Sequence, residues 1–169
     1  MDLWSSLEKR FRRGSKKMLV AKTLFKYGLR INKVGEVFLG DIKIPYTAVS
    51  RALGVDRRTL KSTIEDILKE RFLRDFFMNL EPAGPFLRRV SKILGYRCLA
   101  IEVYEDKPGI LAMVSTALAK RGVNIVQVIA EDPNLVEEPK LYVIVAGEVP
   151  GDALNEIIRN ENIKSLTII

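Results

Sequence analysis

Tyr104-Glu105-Asp106-Lys107-Pro108-Gly109-Ile110-Leu111 and, one helix further on, Gly122-Val123-Asn124-Ile125 decide how the C-terminal part of this chain folds. Pro108 and Gly109 make a tight strand-to-helix turn, because glycine tolerates positive φ and leaves its backbone bare. Residues 98–104 before the turn alternate, with Leu99, Ile101 and Val103 on one face, which predicts a strand. Residues 109–121 after it predict a helix. Working outward, 124–130 and 141–146 read as strands. Residues 152–160 read as a helix with the apolar stripe Leu154, Ile157 and Ile158. Residues 163–169 read as a closing strand. The expected order is strand, helix, strand, strand, helix, strand.

That order predicts the ferredoxin-like pattern, a four-stranded antiparallel sheet with both helices on one face. The turn carries chemistry as well as geometry. The N–H groups at Ile110 and Leu111 would carry the positive end of the helix dipole, a seat for a carboxylate. Asp106 is placed to hold an ammonium group, and Asn124 offers both a donor and an acceptor. An amino acid presents both charged ends. The same residues have plainer uses: Asp106 as a helix cap, Pro108-Gly109 as the turn alone, Asn124 as the close of the helix.

The Asp-x-Pro-Gly-x-Leu element, with Gly-x-Asn-Ile at one-helix spacing, resembles the ACT domain, a regulatory module that commonly binds amino acids. The resemblance covers nearly all of 97–169. It implies a ligand held at Asp106, Lys107, Pro108, Gly109, Ile110, Leu111 and Asn124, usually at the junction of two paired domains. Some ACT domains only pair and bind nothing. Val126 and Val128 alternate with Ile125, Gln127 and Ile129, so both faces of that strand read as largely apolar. A single copy would leave apolar surface wet, which argues for a homodimer or a higher homo-oligomer.

Nearer the N-terminus, Pro45-Tyr46-Thr47-Ala48-Val49-Ser50-Arg51-Ala52-Leu53-Gly54-Val55-Asp56-Arg57-Arg58-Thr59-Leu60 looks like a helix-turn-helix. Pro45 suits a first helical turn, Gly54 supplies the positive φ of a tight connection, and Asp56 is a good N-cap. Small Ser50 lies where the helices would cross. The second helix would present Arg57, Arg58, Lys61 and Ser62 to a major groove, with Tyr46 and Thr47 touching backbone. The other use of such a pair is a helical hairpin for oligomerisation. Residues 1–13 read as an amphipathic helix, 15–27 as a second, 29–44 as loop with one or two short strands, and 86–94 as a short helix.

Charge divides the same way. Residues 1–78 hold 18 Lys+Arg against 9 Asp+Glu, and 97–169 hold 7 against 11, within an overall net of +7. A basic half beside an acidic half indicates two domains with different partners, and nucleic acid is the usual partner of the basic one. We divide the chain into a helical helix-turn-helix-like domain (1–78), a connector with a short helix (79–96) and an ACT domain (97–169), an α+β protein. The combination resembles small prokaryotic, archaeal-type regulators of amino-acid metabolism.

Histidine is absent and Cys98 is the single cysteine, so the commonest general base and metal ligands are missing. No P-loop, GxGxxG or GxSxG pattern occurs. We therefore expect no catalytic residue, metal or cofactor, and not an enzyme. No apolar run approaches a membrane span, and no signal peptide is evident, so the expected location is the cytoplasm. The expected function is an amino-acid-responsive regulator, acting on transcription through DNA. The alternative is a regulatory subunit that controls a metabolic enzyme by protein contact.

Overall fold

Asp2 opens the first helix: its carboxylate accepts the Ser5 N–H at 2.9 Å, one of the donors every helix start leaves unpaired. The structure, a computed structural model, describes residues 2–169; the expected first helix began at residue 1, which lies outside the described residues. The chain forms two compact units, Met1–Gly84 and Pro85–Ile169, and the division falls inside the stretch read as a connector. Together they hold seven α-helices and two antiparallel sheets among the described residues, an α+β composition.

In the N-terminal unit, α1 (Leu3–Arg10) buries Leu7 and is followed by buried Phe11. Ser15 caps α2 (Lys16–Lys26). Gly28, at φ +62°, then turns the chain where a Cβ would stand 2.8 Å from the Glu81 carbonyl oxygen, so only glycine fits. Three short strands follow, β1 (Leu29–Ile31), β2 (Val37–Leu39) and β3 (Ile42–Ile44), in one meander, where one or two were expected. Asn32 makes the first turn: its Oδ1 accepts from the Val34 and Glu36 N–H groups. Helices α3 (Tyr46–Leu53) and α4 (Arg57–Lys69) meet at Gly54, which takes the left-handed conformation. Leu60, Ile64 and Ile67 of α4 are buried with Leu24 of α2 and Ile31 of β1.

A further helix, α5 (Arg71–Met78), breaks from α4 at Glu70. The break has a local cause. The Glu70 carboxylate accepts from the Phe72 and Leu73 N–H groups at 3.2 and 2.6 Å, doing the work usually given to a shorter Asp or Ser. Leu73 and Phe77 are fully buried in the same core.

The C-terminal unit contains β4 (Tyr96–Val103), α6 (Ile110–Ala119), β5 (Ile125–Ala130), β6 (Leu141–Ala146), α7 (Gly151–Ile158) and β7 (Ile163–Ile168). The sheet order is β5-β6-β4-β7, all antiparallel. Val114, Ala117 and Leu118 of α6 and Ala153 and Ile157 of α7 pack with Leu99, Ile101, Val143 and Val145, so both helices cover one face.

The other face departs from the expectation of a bare apolar surface. Residues 86–94 form only a single 3-10 turn, Leu87–Arg89, and hydrogen-bonded turns after it. Leu87 packs on Cys98, Ala100, Tyr142 and Ile144. Gln127 holds this strap: its Oε1 accepts the Leu87 N–H at 3.0 Å, and its Nε2 donates to the Pro85 carbonyl at 2.8 Å. Arg88 donates to the Tyr142 hydroxyl at 2.8 Å, and the Phe86 ring stands edge-on to Tyr142. The alternation in β5 is also broken. A bulge between Ile125 and Gln127 puts Ile125 and Val128 opposite Val145 and Val143 on the helix face, and Gln127 and Ile129 opposite Ile144 and Tyr142. Two apolar faces thus resolve into one bulge residue, Val126, which is 38% exposed, and two faces that are each packed.

Candidate functional site

The end of β4 delivers the chain to the loop 104–109, and Gly109, at φ +101°, opens α6 with no side chain capping its first N–H groups. Asp106 is exposed and makes no cap, so the plainer use of this residue as a helix cap does not occur. Next to this helix start lies a cleft of about 240 Å³. Its floor is the sheet end, Ile101, Val103 and Leu141; its walls are Asp106, Lys107, Gly109, Ile110 and Leu111 on one side and Ala130, Glu131, Pro133, Pro139 and Lys140 on the other. The lining is mostly apolar, with a few charged groups at the edge, the make-up of small-molecule sites.

The charges in the cleft are unevenly committed. The Lys140 ammonium lies 2.6 Å from Glu102, which also meets Lys164 at 3.3 Å. The two lysines hold the Glu102 carboxyl below its ordinary range, Lys140 most. Lys107 stands 3.9 Å from Glu105. Asp106 and Glu131 have no cationic partner among the described residues; Glu131 only accepts the Lys140 backbone N–H at 3.1 Å. The cleft therefore offers bare helix N–H groups to an anion and two unpaired carboxylates to a cation.

Of the residues expected there, Asp106, Lys107, Gly109, Ile110 and Leu111 line the cleft, and Pro108 shapes the turn without lining it. Asn124 is not brought to it. Helix α6 carries the chain back along the sheet, and the Asn124 carbonyl accepts from the Ala146 N–H at 2.9 Å, at the opposite end of β6 from Leu141. The wall contributed by 131–139 is the part sequence reasoning missed. Its signal is length: a ten-residue connection between paired strands, with Pro133 and Pro139 inside it, exceeds an ordinary hairpin loop.

On α4, Arg57, Arg58 and Lys61 are exposed. Arg57 and Arg58 have no ion-pair partner among the described residues, while Lys61 stands 3.8 Å from Glu65. Thr47, on α3, is exposed. Two residues read as contacts are otherwise engaged. Ser62 accepts from the Lys17 ammonium at 2.7 Å and so faces α2. The Tyr46 hydroxyl donates to the Gly35 carbonyl, and burial pushes its pKa up. Ser50 is buried at the helix pair, its hydroxyl donating to the Tyr46 carbonyl at 2.6 Å.

Among the described residues, no group of three His, Cys, Asp or Glu is placed to hold a metal ion, and no helix is long and apolar enough to cross a membrane. No protein-family model matches the chain. No curated protein matches it either. A solved structure titled "Crystal structure of PH0061" is similar at 15% identity over 94% of this chain and 93% of that chain, with a TM-score of 0.28, too loose a likeness to carry an argument.

Proposed function

We propose that this chain is an amino-acid-responsive regulator. The C-terminal unit is read as a ferredoxin-like ACT domain that senses an amino acid, and the N-terminal unit as a helix-turn-helix-like module that contacts DNA through α4. The observation that carries the reading is the cleft at the uncapped start of α6. The ligand carboxylate sits on the Ile110 and Leu111 N–H groups, the ammonium meets Asp106, and the side chain lies on Ile101, Val103 and Leu141. Unpaired Arg57 and Arg58 support the DNA contact, since Arg suits phosphates and guanine edges. Coupling between the two sites falls in the usual range of ~1–3 kcal/mol. The reading includes no catalytic step. It retains a second copy of the chain as a partner, on the strength of the sheet's two edge strands, β5 and β7, rather than of a bare face.

A thermal-shift screen of the common amino acids tests the ligand half, because a ligand that binds the native state raises the melting temperature. If none does so, the C-terminal unit is a pairing or structural module. Titration of a labelled DNA duplex against wild type and Arg57→Ala/Arg58→Ala tests the other half. Wild type that ignores DNA at low salt leaves α3 and α4 as a protein-contact hairpin, the regulatory-subunit alternative.

A further inference from the structure

Lys9-Arg10-Phe11-Arg12-Arg13-Gly14-Ser15-Lys16-Lys17 packs six cations into nine residues, and the α4 contact described above uses none of them. The structure fixes where this run stands. Leu7 and Phe11 are buried, so α1 is part of the N-terminal core rather than a loose arm. Gly14, at φ +76°, turns the chain into α2. Both sides of this corner are tied to the middle of α4. Arg10 Nη2 donates to Asp66 Oδ1 at 2.9 Å; Lys17 Nζ donates to Asp66 Oδ2 at 2.6 Å and to Ser62 Oγ at 2.7 Å. Lys69 lies 3.8 Å from the same carboxylate.

Around the two anchors the charge is not neutralised. Lys9, Arg12 and Lys16 are exposed and have no ion-pair partner among the described residues. Arg13 comes no nearer than 3.9 Å to Glu8, with both side chains well in solvent, a pair worth little. Ser62 and Asp66 follow Arg58 by about one and two helical turns on the same stripe, about 6 and 12 Å along the axis at about 1.5 Å per residue. The corner therefore stands beside α4 one to two turns beyond its exposed arginines. A helix start that enters a major groove about 12 Å wide brings whatever flanks its next turn up to the phosphate wall.

We propose that Lys9, Arg12, Arg13 and Lys16 form a phosphate-binding rim for duplex DNA beside α4. The inference rests on the reading of α4 as the groove-entering helix. Charge complementarity selects the partner. The corner's apolar residues, Leu7 and Phe11, point into the core, so it offers charge alone and lacks the apolar face a membrane-seeking segment presents.

The test is the salt dependence of binding to a fluorescein-labelled random-sequence duplex, measured by anisotropy on the full chain. Arg12→Ala/Arg13→Ala removes two rim contacts and is expected to lower the slope of log K against log salt by about 1.8, at about 0.9 per phosphate contact. Its melting temperature should match wild type, since both side chains are exposed. Arg89→Ala/Lys92→Ala, in the C-terminal unit, changes the net charge equally and should leave the slope unmoved. Wild-type slope and affinity in Arg12→Ala/Arg13→Ala, with Arg57→Ala/Arg58→Ala still weakened, overturn the rim and leave the α4 reading standing. An equal loss in the Arg89/Lys92 control overturns the rim in favour of bulk charge. Wild type that binds phosphatidylserine vesicles or a hairpin RNA but not the duplex overturns both readings.

Discussion

Helices α4 and α6 start in opposite ways. At α4 the Asp56 carboxylate accepts the Thr59 N–H and the Thr59 hydroxyl, each at 2.7 Å, so the positive end of that helix is already answered from within. What it shows the solvent is side chains, Arg57 and Arg58. At α6 no side chain answers the first N–H groups; they border a cleft, with an unpaired carboxylate at Asp106. A capped start frees side chains for a large anionic partner, whereas a bare start keeps the backbone itself available to a small one.

The largest effect that would break this comparison is at Asp106. Asp106→Ala should weaken amino-acid binding by roughly 1.5–3 kcal/mol, about ten- to a hundred-fold, the value of a hydrogen bond to a charged group. Its unfolding midpoint should stay near wild type, because Asp106 is exposed and caps nothing. Calorimetry on the folded variant decides it. Unchanged affinity would move the ammonium seat away from this wall of the cleft.

Asp56→Ala should do the reverse. It should leave ligand affinity alone and cost the N-terminal unit about 1 kcal/mol, as loss of an N-cap does. Trp4 is the only tryptophan and packs edge-on to Phe25 in that unit, so its fluorescence in a urea titration follows the right half of the molecule. An unmoved midpoint would mean that α4 does not depend on its cap.

The same two regions explain what could be read without coordinates. The helices at α3 and α4 were legible because Gly54 and Asp56 are local devices whose effect needs no tertiary partner. The strand and helix order of the C-terminal unit was legible from Leu99, Ile101 and Val103 and from the Pro108-Gly109 turn. Features set by distant contacts were not. Val126 as a bulge and Leu87 as the cover of the sheet each depend on a partner many residues away, while the Glu70 cap is local but an uncommon use of a glutamate. The candidate site divides likewise. Its near wall, Asp106 to Leu111, is one continuous stretch, while its far wall reaches the cleft only because β5 and β6 pair.

A smaller effect should appear with acid. In the N-terminal unit Lys17, and then Arg10, hold the Asp66 carboxyl below its ordinary value; in the C-terminal unit Lys140, and then Lys164, do the same for Glu102. Each group keeps its charge to lower pH in the folded chain than in the unfolded one. The stability it contributes is therefore complete above the unfolded carboxylate pKa, about 4, and is lost as pH falls through the folded value. Urea midpoints measured downward from neutral pH should decline across that window. Asp66→Asn should flatten the decline reported by Trp4, and an unaltered profile would show that the Arg10 and Lys17 contacts do not tune this carboxyl.

The smallest expected effect is at Asn124, and it bears on how many copies make the site. The sequence pattern groups Asn124 with Asp106, yet β5, Ile125–Ala130, runs between Asn124 and the cleft that Asp106 lines, roughly 17 Å at about 3.3 Å per residue. An amino acid is far too short to touch both. The Asn124 side chain is exposed and has no hydrogen-bond partner among the described residues, so Asn124→Ala should change neither stability nor affinity by more than about 0.5 kcal/mol. The informative form of the experiment is a ligand titration of wild type and Asn124→Ala at descending protein concentrations, with light scattering on the same samples. Equal affinity for both proteins throughout places the whole site inside one copy. A deficit in Asn124→Ala that is present when the protein is paired and vanishes when it dissociates would mean that a second copy brings its own Asn124 to the cleft, and the bare helix start of α6 would then be half of a shared site.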